Sequence, residues 1–234
     1  MGEGVLRRGG GMNGTMEAKE NVRTAHTVIL ADGERPSHGV PLALLRSAAR
    51  VFACDGAWRT AVALGRTPDA VVGDGDSLAP GDLAELERLG VSVVRDPEQD
   101  TNDLCKAFRH AMRTSGPGRI RILGATGKRE DHTIGNVFHL VDFALANPDV
   151  SVVTDSGVFE PVLPPGRSWE AGAEADASVS VFAPLPGTTM ESEGLKWPLA
   201  GVKFDSLWRG TLNRIVSSRF SIRTDRPAIV FRPH

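Results

Sequence analysis

From residue 26 onward, short apolar runs alternate with stretches in which apolar residues return every three or four positions. The runs 27–31, 51–54, 70–73, 91–95, 119–124 and 150–154 are rich in Val and Ile and carry no polar alternation. That is the pattern of strands buried on both faces of a parallel sheet. The intervening segments 41–49, 57–64, 80–89, 102–114 and 131–147 read as helices. Leu104, Phe108, Ala111 and Met112 share one face of the fourth, and Ile134, Val137, Phe138, Val141 and Leu145 one face of the last. Strand–helix alternation of this kind predicts βαβ units with right-handed crossovers.

After about Asp155 the helical period disappears, and Pro and Gly punctuate the chain every few residues. Alternating runs at 178–182, 214–222 and 228–231 predict short antiparallel strands in a small sandwich or barrel. The expected architecture is an α/β domain with a mostly parallel sheet flanked by helices over 25–155, followed by an all-β sandwich or barrel-like domain over 156–234. Pro161, Pro164 and Pro165 mark the boundary region 155–166. Residues 1–24 hold six glycines and scattered apolar positions. They are expected to be a disordered leader, and no apolar run follows Arg7 and Arg8 to make a signal peptide.

Hydrophobic residues at 41% and charged residues at 24% give an ordinary globular balance, so 234 residues suffice for a core without staples. A formal net charge of −2 argues against a broad nucleic-acid surface. Cys54 and Cys105 are too few for a disulfide framework and sit in apolar segments. They read as buried thiols of a reducing compartment, the cytoplasm. No run approaches the roughly 18 residues of a membrane span.

Ligands of open parallel sheets bind outside the carboxyl ends of the strands. Five successive predicted strand ends carry carboxylates there, most of them beside glycines: Asp32-Gly33, Asp55-Gly56-Ala57, Gly73-Asp74-Gly75-Asp76-Ser77, Asp96 through Asp103, and Gly124 through His132. Carboxylates gathered on one rim repel one another unless a cation sits among them, and Mg²⁺ takes oxygen ligands together with substrate phosphates. Asp74 and Asp76, at i and i+2 leaving a strand, are expected to point the same way. Asn102 or Thr101 suits an N-cap with Asp103 in the first turn, and Lys106 shares the face of Asp103. The loop Gly124–His132 has the glycines and the three basic groups of a phosphate cradle. It is no Walker A loop, because only two residues separate its glycines. An EF-hand fails at Leu78 and Ala79. A dehalogenase-type phosphatase shares Asp-x-Asp after a strand but usually carries Thr or Val where Leu78 stands. In the C-terminal part, Trp197 and Trp208 supply large flat surface in a chain without tyrosine. They serve either core packing or a platform for a cationic or heteroaromatic ring.

Taken together, these elements resemble thiamine pyrophosphokinase. The resemblance runs from about Val28 to the C-terminus. It rests on Cys54-Asp55-Gly56-Ala57, Pro68 through Ser77, Asp100-Thr101-Asn102-Asp103-Leu104-Cys105-Lys106-Ala107, Gly124 through His132 with Asn136, and Glu193-Gly194-Leu195-Lys196-Trp197-Pro198-Leu199. It implies transfer of a pyrophosphoryl group from ATP to the hydroxyethyl arm of thiamine, giving thiamine diphosphate and AMP. Mg²⁺ and a homodimer with thiamine at the interface are implied with it. Carried over by position, Asp55, Asp74, Asp76 and Asp103 are implied as the metal cluster, with Asp74, Asp76, Asp103, Lys106 and Arg129 catalytic. Gln99, Asn102, Lys106, Arg129, Asp131 and His132 fall with Asp55 on the ATP side, and Trp197, Trp208, Thr211 and Asn213 on the thiamine side. Two positions depart from the family pattern: Leu212 stands where a serine is expected and Ala57 where a second glycine is common. A pyrophosphokinase for a pterin-type alcohol, a Mg²⁺-dependent phosphohydrolase and an idle nucleotide-binding module are the alternatives.

Overall fold

The computed structural model describes residues 25–170 and 176–234; the expected leader lies outside them. Six parallel strands come first: β1 (Thr27–Leu30), β2 (Arg50–Cys54), β3 (Ala70–Gly73), β4 (Ser92–Arg95), β5 (Ile120–Leu123) and β6 (Val150–Val153). Between them run α1 (Gly39–Ser47), α2 (Ala57–Ala63), α3 (Asp82–Arg88), α4 (Asp103–Ser115) and α5 (Glu130–Ala146). The strands' apolar runs divide by parity, as a pleat requires. Ile29, Phe52, Val72 and Ile122 face Leu104, Phe108 and Leu140 of α4 and α5. Val28, Leu30, Val51, Ala53 and Val71 face Leu45, Trp58 and Leu86 of α1–α3. Both faces are buried, which is why these runs show no polar alternation.

The C-terminal strands are β7 (Gly157–Val162), β8 (Gly166–Glu170), β9 (Ala177–Phe182), β10 (Met190–Glu193), β11 (Gly210–Ile215), β12 (Arg219–Thr224) and β13 (Ala228–Pro233). Four of them extend the parallel sheet rather than leaving it. β7 pairs antiparallel with β6, and the order runs β11-β9-β13-β7-β6-β5-β1-β2-β3-β4 across ten strands. The remaining three form a sheet β10-β12-β8. Val162, Val181, Ile215 and Val230 of the long sheet pack with Trp169, Phe220 and Ile222 of the short one, giving the expected sandwich.

The single strand expected over 214–222 is instead two strands in different sheets, β11 and β12. The polar Ser217 and Ser218 break the run, and Val216 N donates to Gly194 O rather than continuing a ladder. β7, β8 and β10 carry no sequence signal of the expected kind. β8 and β10 are the edges of the short sheet and bury one face at most. Pro161 sits in β7 beyond the last residue paired with β6, where no partner needs its missing N–H.

Candidate active site

Cys54 ends β2 deep in the core, and the chain turns at Asp55 with φ +30, a rarely used conformation for a residue with a side chain. The turn throws the Asp55 carboxylate across the end of β3. It fits only because residue 73 is glycine: a Cβ there would lie 1.8 Å from Asp55 Oδ1. Oδ2 accepts long hydrogen bonds from Gly75 N (3.3 Å) and Ser77 N (3.5 Å), while Oδ1 is buried and has no partner among the described residues.

Asp74 leaves β3, and Asp103 opens α4. With Asp55 they bring carboxylate oxygens within 4.8 Å of one another. Burial, together with the charges of Asp103 and Asp74, pushes Asp55 up to about 6. Burial also raises Asp103, whereas the hydrogen bond from Asp76 N (3.0 Å) holds Asp74 below the usual carboxylate range. Lys106, one helical turn after Asp103, is 2% exposed and places its Nζ 3.3 Å from Asp103 and 3.8 Å from Asp74. One ammonium among three carboxylates leaves the cluster short of positive charge. Hard oxygen donors and an orphaned buried oxygen fit a cation such as Mg²⁺.

Asp76 is exposed and stands outside this group. Gly75 has φ +90, which breaks the extended backbone, so the i, i+2 carboxylates do not share a face as expected. Gln99 Nε2 reaches Asp74 Oδ2 at 3.3 Å. Asn102 caps α4 by accepting from Cys105 N and donates to Asn136, whose own amide donates to Ala125 O; this chain of bonds ties α4, α5 and the loop after β5 together. Arg129 is exposed and engages Asp131 at the start of α5 (Nε–Oδ1 3.1 Å), which drives the Asp131 carboxyl down to about 2. Asp131 Oδ1 also accepts from His132 N.

Asp55, Asn102, Asp103, Arg129 and His132 line a cleft of about 280 Å³ together with Asp32 and Lys128. In the sequence Lys128 is one of the three basic groups of the cradle-like loop and Asp32 one of the strand-end carboxylates, but nothing there pairs them. Asn136 is visible only as part of a motif. None of the four thiamine-side residues lines the cleft. Trp197 and Trp208 are 52% and 62% exposed, each under a cation: Lys196 Nζ lies 5.0 Å from the first ring and Arg209 Cζ 5.0 Å from the second. Asn213 is buried and grips the Trp197 backbone through both ends of its amide (3.1 and 2.7 Å), and Thr211 Oγ1 donates to Trp208 O. Leu212 is 81% exposed at φ +58.

A parallel sheet whose carboxyl rim sets an acidic cluster against a glycine-rich basic loop has the form of a protein that handles phosphate esters. Two family models match in succession: thiamin pyrophosphokinase, catalytic domain, over residues 42–154, and thiamin pyrophosphokinase, substrate-binding domain, over 157–231. The chain belongs to the thiamin pyrophosphokinase family. It is 32% identical over 146 residues to thiamine pyrophosphokinase 1 of Oryza sativa subsp. japonica, a match covering 56% of this chain and 53% of that protein. Among solved structures, the thiamine pyrophosphokinase of Bacillus subtilis superposes with a TM-score of 0.74 at 22% identity, covering 89% of this chain and 98% of the other. That of Geobacillus thermodenitrificans gives 0.71 at 24%, covering 89% and 97%. These likenesses show the shared fold.

Proposed function

We propose that this chain transfers a pyrophosphoryl group from ATP to the hydroxyethyl oxygen of thiamine, releasing AMP. The observation that carries the reading is the cluster Asp55–Asp74–Asp103 with its partnerless buried oxygen, set at the carboxyl rim of a chain of this family. Asp55, Asp74 and Asp103 would hold Mg²⁺, and Asp76, exposed outside their cluster in the same loop, would meet one of the ion's water ligands rather than the ion itself. Bound there, the ion supplies neutralisation of charge on the transferring phosphoryl oxygens. Lys106, buried against two of the carboxylates, adds a fixed positive charge that needs no reorganisation during reaction. Arg129, which lines the same cleft with Asp131 and His132 beside it at the opening of α5, would fork onto phosphate oxygens. Gln99 orients Asp74, and Asn102 fixes the first turn of α4, from which Asp103 projects.

On this reading residues 25–155 carry ATP and the metal, and 156–234 carry thiamine and the contacts of a homodimer. The support is the separation of the parts: the cleft draws its lining from residues 31–136, while Trp197, Trp208 and Leu212 lie exposed elsewhere. A second copy would bring those rings to the acidic rim, where a flat surface suits the cationic thiazolium of thiamine. We place the protein in the cytoplasm; both cysteines are free and buried, and no helix among the described residues is long and apolar enough to cross a membrane.

A coupled assay of AMP release with Mg-ATP tests the function. AMP that appears only when thiamine is present supports it. Equal release with a hydroxymethylpterin, or release of phosphate without any alcohol, overturns it.

A further inference from the structure

Lys128 lies in the loop after β5 with φ +59, a left-handed conformation that glycine adopts freely and lysine does not. Its Nζ crosses to the carboxyl end of β1, donating to Asp32 O (3.1 Å) and Asp32 Oδ1 (3.0 Å). Both residues line the cleft, and both side chains are about half exposed. A half-exposed ion pair adds little to stability and does not explain a lysine in this conformation.

The base beneath the pair is rigid. Gly33 N donates to Gly124 O (2.7 Å) and Glu34 N to Thr126 O (2.8 Å). A Cβ at Gly33 would lie 2.3 Å from Gly124 O, so the loops after β1 and β5 touch backbone to backbone. The backbones that carry the pair are therefore fixed against each other, and the two Asp32 contacts keep the ammonium at the cleft. Arg129, the next residue, is held in a similar way by Asp131. Two adjacent cations of one glycine-rich loop are each occupied by a carboxylate that a polyphosphate, with more charge and more acceptors, is able to displace.

We propose that Lys128 binds the triphosphate chain of Mg-ATP, and that Asp32 holds its ammonium until the phosphates replace that carboxylate. This rests on the reading of the cleft as the ATP site. It makes Lys128 a contributor to nucleotide affinity and Asp32 a competitor for it, so their removal has opposite effects.

Calorimetric titration of Mg-ATP into the full chain decides the matter, with the melting temperature as the check on folding. Lys128→Ala is expected to weaken binding by about ten- to a hundredfold, the loss of one charge-assisted contact. Lys128→Gly, which also relieves the left-handed backbone, is expected to weaken it as much with an equal or higher melting temperature. Lys128→Arg is expected to stay within about threefold of wild type, since it keeps the charge. Asp32→Asn is expected to tighten binding by about two- to fivefold, because it frees the ammonium and removes a like charge from the cleft. If Asp32→Asn weakens binding as Lys128→Ala does, the pair is a structural brace and the proposal fails. Wild-type affinity in the Lys128 variants overturns the proposal while leaving the ATP site standing. Absence of Mg-ATP binding in the wild type overturns both.

Discussion

Asp55 holds the sharpest conflict between stability and function in the chain: a buried carboxylate at φ +30, one oxygen unbonded, two like charges beside it. Its carboxyl is pushed up to about 6, so the folded state without metal keeps that proton to a higher pH than the unfolded chain does. The stabilisation from that proton is complete below the ordinary carboxylate range near 4, and it is lost as pH rises through about 6. Metal-free protein is thus expected to lose melting temperature between about pH 5 and 7, and Mg²⁺ to restore it above pH 6. Asp55→Asn, whose amide tolerates the same backbone and carries no charge, should raise the metal-free melting temperature at pH 8 by about 2–4 °C, the equivalent of about 1 kcal/mol in a chain of this size. It should also abolish the Mg²⁺ effect. Differential scanning fluorimetry with and without chelator reads both; a drop in melting temperature would show that Asp55 is a structural anchor. At Asp74 and Asp76, substitution by Asn is expected to lower turnover at saturating Mg²⁺ by at least about a hundredfold with folding intact. Near-normal rates in either variant would remove that residue from the metal set.

At the scale of elements, the acidic group exists because α4 begins in the right place. Asn102 both caps the helix and reaches Asn136, and through it the loop after β5. Asn102→Ala is expected to cost about 1–2 kcal/mol by urea unfolding and to raise the KM for ATP, since Asp103 and the basic loop lose their common anchor. An unchanged KM would confine the residue to capping. The sequence announces this half of the molecule well: strands buried on both faces leave uninterrupted apolar runs, and a rim of carboxylates leaves Asp and Gly at their ends. It is silent where geometry depends on a single dihedral. Nothing in Gly-Asp-Gly-Asp foretells that φ +90 at Gly75 separates Asp74 from Asp76, or that Asp32 meets Lys128 across the cleft. The C-terminal half is less legible because its edge strands β8 and β10 bury little and read as polar loops. Its ten-strand continuity is set by pairing between distant segments, which no local pattern encodes.

For the whole molecule, the exposed Trp197, Trp208 and Leu212, none of which lines the acidic cleft, make a simple expectation. Asp74→Asn and Trp208→Ala, each strongly impaired alone, should regain activity when mixed under verified subunit exchange. One composite site of each mixed dimer then carries both lesions and the other neither, and statistical exchange gives roughly a quarter of the wild-type sites. No recovery would mean that each site is built within one chain. The position of β13 has another consequence. It is last of the strands in the chain yet interior to the long sheet, with six paired positions on β7 and three on β9. A chain cut after Arg226 would keep every residue that lines the cleft but present an open slot between two unsatisfied ladders. A synthetic peptide of residues 228–233 should fill that slot and switch such a truncated protein on, turning the enzyme into a split reporter whose signal is its own product.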